Sequence, residues 1–214
     1  MRDIKVKVCG LRDPSNIAKV AMLKPDFMGF ILYGGSPRYV SMKEAVRLVK
    51  NIPPSIQKVG VLVNEPFENA LEIAQSGVFD LLQLHGTESI EYCKKLFLHI
   101  EIIKAFSVSE SLPENLSDYQ AVCTIFMFDT AGEKFGGTGK RFDHQILSGY
   151  SLNKGFILSG GISAGDSMYI KSMPADRLAG VDLNSRFEDM PGIKNISLLK
   201  KFIEKIRNDD TNDR

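Results

Sequence analysis

Short apolar runs punctuate the chain at residues 4–8, 27–32, 58–63, 80–84, 101–105, 124–128, 155–158 and 178–183. Each is brief and rich in β-branched or aromatic side chains, the pattern of strands buried on both faces of a parallel sheet. Between them apolar positions recur at helical spacing: Ile17, Val20 and Ala21; Ala45, Leu48 and Val49; Ala70, Leu71 and Ala74; and Leu198, Leu199, Phe202, Ile203 and Ile206. Helix starts are expected at Asp13-Pro14, at Ser41 with Glu44 closing a capping box, and at Thr87 before Glu88. The weakest helical segment is 108–119, which is rich in Ser and contains Pro113.

Strand–helix alternation predicts right-handed βαβ units and a parallel sheet. A regular series of eight fits a closed barrel better than an open sheet. The expected fold class is therefore α/β, a single (β/α)₈ TIM barrel of the phosphate-binding type over residues 1–207. No Pro- or Ser-rich linker divides it. The glycine-rich loop 131–140 reads as a lid, and the polar tail 208–214 is expected to be disordered.

Composition narrows the function classes. The 214 residues carry 27 Lys and Arg against 26 Asp and Glu, a net charge of +1. That balance gives no basis for binding nucleic acid or an anionic membrane. No apolar run reaches the roughly 18 residues of a spanning helix. Residues 1–8 alternate charged and apolar positions, unlike a signal peptide. Cys9, Cys93 and Cys123 are odd in number and dispersed. They suggest neither a disulfide framework nor a zinc site, and they favour a cytoplasmic location. A single domain makes a monomer the default expectation.

In such a barrel the chemistry gathers at the C-terminal ends of the strands. There the sequence places Cys9, Arg38, Asn64, Gln83 with His85, Lys104, Asp129, Ser159-Gly160-Gly161, and Asp182 with Asn184 and Ser185. Gly160 and Gly161 end the seventh run and are expected to open a helix, so that backbone N–H groups approach an anion at a helix N-terminus that favours negative charge. Asn184 and Ser185 supply a second set of donors, and loops seven and eight form the usual phosphate site of these barrels. The plainer alternative for Gly-Gly is a tight turn.

Asp129 ends an apolar strand where desolvation suits a general acid; a turn-capping role is the alternative. Cys9 by position alone reads first as a small buried hydrophobe, with a thiolate base as the second reading. Asp182 suits a sugar hydroxyl or a structural bond. Arg38 suits a carboxylate or solvent. His85 is a binding or an orienting group. His99 and His144 read as surface residues. No metal-ligand motif is present.

At this point the residues resemble a known family. Lys7-Val8-Cys9-Gly10, Ser36-Pro37-Arg38-Tyr39, Leu82-Gln83-Leu84-His85-Gly86, Asp129-Thr130 followed by Gly136-Gly137-Thr138-Gly139, Leu158-Ser159-Gly160-Gly161 and Val181-Asp182-Leu183-Asn184-Ser185 occur in the order of phosphoribosylanthranilate isomerase. The resemblance spans nearly the whole chain. It implies an Amadori rearrangement of N-(5-phosphoribosyl)anthranilate in tryptophan synthesis, without metal or organic cofactor. It implies Cys9 as general base and Asp129 as general acid. Arg38 is then expected on the anthranilate carboxylate, with His85 near the substrate and Asp182 on the sugar. Gly160, Gly161, Asn184 and Ser185 are expected on the phosphate.

Two positions depart from the family pattern. Arg186 stands where a glycine is usual, which strains the turn if φ must be positive, or else adds charge near the phosphate. His144 stands where Trp is frequent. The activator of Cys9 is not identifiable from the sequence. A metal-dependent sugar-phosphate epimerase and a catalytically idle phosphometabolite sensor are the rival functions.

Overall fold

The computed structural model describes residues 3–131 and 142–208. All eight apolar runs form strands: β1 Lys5–Cys9, β2 Phe27–Ile31, β3 Gln57–Leu62, β4 Leu81–Leu84, β5 Glu101–Val108, β6 Ile125–Thr130, β7 Phe156–Leu158 and β8 Leu178–Leu183. Each pairs in parallel with the next, and β8 returns to β1, so the sheet closes as a barrel. Strand alternation divides the apolar side chains into two sets. Phe27, Val59, Val61, Leu81, Ile103, Met127 and Ile157 fill the interior. Val8, Phe30, Leu82, Ile102, Phe126 and Phe128 face the surrounding layer, where they meet Val20, Ala45, Leu96 and Phe202.

The layer consists of α1 Pro14–Met22, α2 Met42–Val49, α3 Phe67–Gln75, α4 Ile90–Phe97, α5 Ser167–Ser172 and α6 Ile196–Arg207. Asp13 caps α1 by accepting from Asn16 N at 2.7 Å, with Pro14 in the first turn where its missing N–H costs nothing. Ser41 and Glu44 form the reciprocal capping box expected of them at α2. The start expected at Thr87 is displaced. Ser89 caps α4 instead, because Glu88 is drawn into a buried ion pair with Lys104 at 2.9 Å.

The weak fifth segment shrinks to a 3₁₀ turn at Leu116–Tyr119, as its Ser and Pro content suggests. Another 3₁₀ turn, His144–Gly149, lies between β6 and β7. His144, expected at the surface, is buried: it is only 3% exposed, with its ring centroid 4.9 Å from that of Phe142 and 5.8 Å from that of Tyr169. The residues expected to form a lid, Gly136–Gly139, lie outside the described residues, as does the tail beyond Asn208.

After β8 the chain adds an antiparallel pair absent from the sequence reading, β9 Glu188–Met190 and β10 Ile193–Lys194. The buried Asn16 amide of α1 clamps it, donating to Lys194 O and accepting from Lys194 N, both at 2.8 Å. Among the described residues no helix is long and apolar enough to cross a membrane.

Candidate active site

The C-terminal ends of the strands surround one cavity. Cys9, Arg38, His85, Asp129, Gly160, Gly161, Asp182, Asn184 and Ser185 all line it, which brings together every residue to which the family resemblance gives a role. Lys104 and Asn64 do not join them. Lys104 alternates with the inward Ile103 and Ala105, so its ammonium turns outward to Glu88 and to the carbonyls of Leu84, Gly86 and Ala105. Asn64 Oδ1 instead accepts from Thr87 N at 2.7 Å, tying the third loop to the fourth.

Asp129 sits two residues beyond the inward Met127 on β6, so its carboxylate enters the cavity although it is only 6% exposed. Thr130 N donates to Oδ1 at 2.9 Å. His85 Nε2 lies 3.1 Å from Oδ2, and Gln83 Nε2 lies 2.7 Å from His85 Nδ1. A Gln83 amide donating to Nδ1 leaves Nε2–H to donate to the carboxylate. His85 therefore orients Asp129 rather than standing alone in the cavity.

Cys9 closes β1 at 3% exposed, with Lys7 beneath it on the same face. Lys7 Nζ is 2.9 Å from Asp182 Oδ1, and Ser159 Oγ donates to Asp182 Oδ2 at 3.3 Å. Burial alone would lower the Lys7 ammonium's pKa. The Asp182 and Cys9 charges beside it outweigh burial and hold it above the ordinary lysine value.

Gly160 and Gly161 adopt φ of +88° and +65°. Positive φ at both positions makes a turn that glycine adopts without strain, and both residues line the cavity with no Cβ over their backbone N–H groups. A Cβ on Gly160 would stand 2.7 Å from Thr130 N and 2.9 Å from Asp129 Oδ1, so the glycine loop and the acid are in direct contact. The pair does not open a helix, contrary to expectation: α5 begins only at Ser167. Any anion here is held by loop N–H groups, not by a helix end. Opposite it, Ser185–Phe187 is a 3₁₀ turn and Arg186 lines the cavity. Arg186 is not among the positive-φ residues, so it carries none of the strain that its replacement of glycine implied.

Arg38 lines the cavity from the second loop, anchored from behind. Its Nε donates to Glu188 Oε1 at 2.9 Å and its Nη2 to Oε2 at 2.7 Å. Lys194 Nζ shares Glu188 Oε1 at 2.7 Å and reaches Asn184 Oδ1 at 2.8 Å. Among the described residues, no three His, Cys, Asp or Glu side chains cluster as metal ligands do.

Residues 6–205 match the family described as N-(5'phosphoribosyl)anthranilate (PRA) isomerase. The N-(5'-phosphoribosyl)anthranilate isomerase of Parabacteroides distasonis is 42% identical over 94% of this chain and 92% of its own. The chain belongs to the phosphoribosylanthranilate isomerase family. The crystal structure of the phosphoribosyl anthranilate isomerase from Thermotoga maritima superposes with a TM-score of 0.82 at 32% identity, over 95% of this chain and 98% of that one. Another solved isomerase is in complex with reduced 1-(o-carboxyphenylamino)-1-deoxyribulose 5-phosphate. It aligns at 30% identity and a TM-score of 0.77, over 95% and 98% of the two chains.

Among the described residues the family motifs thus fall where the cavity is. Sequence reasoning missed the residues behind them: Lys7, Glu188 and Lys194. Lys7 carried a signal, since residues two apart on a strand share a face. Glu188 and Lys194 carried none, because they lie on the β9–β10 pair beyond the last barrel strand.

Proposed function

We propose that this family member converts N-(5-phosphoribosyl)anthranilate to 1-(2-carboxyphenylamino)-1-deoxyribulose 5-phosphate, a step of tryptophan biosynthesis, by acid–base catalysis between Asp129 and Cys9. One observation carries the assignment of roles. A carboxyl group and a thiol, each nearly buried, line a single cavity that also holds a positive-φ Gly-Gly turn and an anchored arginine.

The chemistry follows from that arrangement. The substrate phosphate is held by the Gly160 and Gly161 N–H groups and by Asn184 and Ser185. The anthranilate carboxylate meets Arg38, whose guanidinium is held in orientation by Glu188 and keeps Nη1 for the ligand. Anchoring both ends fixes the ribose between acid and base.

The His85–Asp129 pair takes up one proton along its 3.1 Å contact. Asp129 delivers it to the ribose ring oxygen as the C1–O bond breaks and the aniline nitrogen lone pair forms the iminium. Cys9, as thiolate, removes the C2 proton to give the enolamine. Protonation at C1 and loss of the enol proton yield the ketose. Asp182 holds a sugar hydroxyl. No step calls for a metal or an organic cofactor.

Within the same proposal the enzyme is a cytoplasmic monomer. Its three cysteines are free and buried, as a reducing compartment keeps them. Its exposed large apolar side chains Met22, Leu98 and Met190 sit on separate elements, and among the described residues only Met168 and Tyr169 share one, α5.

Decay of anthranilate-type fluorescence on adding the protein to freshly made phosphoribosylanthranilate tests the activity. The decay is expected to be unchanged by EDTA. Loss of activity in the chelator would favour the metal-dependent epimerase, and no decay at all would favour the idle sensor.

A further inference from the structure

A thiol acts as a base only as its thiolate, which needs a cation or dipole beside it. Lys7 lies two residues before Cys9 on β1, and both side chains point into the barrel. The Lys7 side chain is 0% exposed and sits opposite Asp182 in the β1–β8 register, 2.9 Å from its carboxylate. Cys9 lies opposite Gly29 in the β1–β2 register. A Cβ on Gly29 would stand 2.7 Å from Cys9 Sγ and 3.2 Å from Lys7 Nζ. The absent side chain is what lets thiol and ammonium share that space. A buried lysine–carboxylate pair is seldom the most stable way to fill a core, so its place under the thiol calls for a chemical role.

We propose that Lys7 is a positioning residue of the isomerisation, whose ammonium, held by Asp182, lowers the cost of forming the Cys9 thiolate that removes the sugar C2 proton. The inference rests on the function proposed above. The Cys9 proton leaves to solvent before substrate enters. The C2 proton then passes to sulfur, the C2–H electron pair forms the C1–C2 double bond, and the iminium pair returns to nitrogen. Lys7 keeps its own proton throughout.

The charged groups acting on Cys9 come from three strands: Lys7 from β1, Asp182 from β8 and Lys194 from β10. Burial pushes the thiol up, Lys7 pulls it down, Asp182 pushes it up, and Lys194 pulls it down. The balance leaves the thiol above its ordinary value, so the thiolate depends strongly on Lys7.

The test is the rate of iodoacetamide alkylation at Cys9 against pH, followed by peptide mapping, with buried Cys93 and Cys123 as internal controls. In Lys7→Gln the alkylation profile is expected to move up by at least about one pH unit, with a tenfold or greater loss of rate at neutral pH. Lys7→Arg is expected to restore part of it. The high-pH rise of kcat is expected to shift in parallel with KM little changed.

Should Lys7→Gln fail to fold, the Lys7→Gln/Asp182→Asn double variant removes both charges while keeping a hydrogen-bonding pair of similar shape. Its alkylation profile is expected to stay above that of Asp182→Asn alone. An unchanged alkylation profile in folded Lys7→Gln, or in the double variant against Asp182→Asn, overturns the proposal. Alkylation needs no substrate, so failure of the wild-type protein to isomerise phosphoribosylanthranilate is recorded separately, as failure of the proposed function.

Discussion

Arg38 and Glu188 meet fork to fork, with Nε 2.9 Å from Oε1 and Nη2 2.7 Å from Oε2. The arginine expected to greet a substrate carboxylate thus already holds one of the protein's own. The planar guanidinium has donors enough for both, and the internal carboxylate aims the remaining ones into the cavity.

Arg38→Lys loses that fork geometry while keeping the charge. A hydrogen bond to a charged group contributes about 1.5–3 kcal/mol, so KM is expected to rise roughly 10- to 100-fold. kcat is expected to change less. Steady-state fluorescence kinetics measure the split, and an unchanged KM would place the anthranilate carboxylate elsewhere.

Glu188 also makes acid stability predictable. Burial pushes its carboxyl up, but the Arg38 hydrogen bonds and the Lys194 charge outweigh burial and hold it below the usual carboxylate value. A depressed pKa in the folded state means the stabilisation is complete above the unfolded value of about 4.3. It is lost as the pH falls through the lower folded value. In Glu188→Gln the unfolding midpoint is expected to be lower than wild type at neutral pH. The gap is expected to narrow on titration down to about pH 3, below the ordinary glutamate value. A gap independent of pH would contradict the linkage.

The Glu88–Lys104 pair shows where local sequence signals end. Glu88 looks like the acidic residue of a first helical turn, yet the outward Lys104 of the neighbouring strand captures it, and it accepts the N–H groups of Asn64 and Gly86 besides. Removing one partner of a buried pair costs about 3–5 kcal/mol. Glu88→Gln is therefore expected to lower stability by that order in urea unfolding, with Glu88→Gln/Lys104→Met recovering much of it. Equal losses in the single and double variants would contradict the coupling.

The eight strands were legible because parallel strands buried on both faces are apolar throughout, and the Asp13 and Ser41 caps because capping is local. The displaced cap at Ser89, the buried His144 and the Glu188–Lys194 support depend on contacts across the chain, which no local pattern encodes. The same holds within the site. The strand-end residues could be read in order along the chain. An orienting role for His85 is one of two readings the sequence allows, but that its partner is Asp129, and that Glu188 anchors Arg38, could not be read.

Gly160 couples the anion loop to the acid. Gly160→Ala is expected to cost about 1–2 kcal/mol for a left-handed non-glycine residue. It also drives a methyl group against Asp129 Oδ1 and Thr130 N. Competitive inhibition by inorganic phosphate is expected to weaken and kcat to fall together. Weakened phosphate binding with unchanged kcat would mean the two are independent.

Cys9 and Asp129 line one cavity, and the proposed mechanism makes one the base and the other the acid. The most direct test is single-turnover fluorescence decay of phosphoribosylanthranilate with saturating wild type, Cys9→Ala and Asp129→Asn, each confirmed folded. The expected result is rapid decay with wild type and a loss of at least about 10²–10⁴-fold in each variant, the usual contribution of a general acid or base. A near-normal rate in either variant would contradict the mechanism.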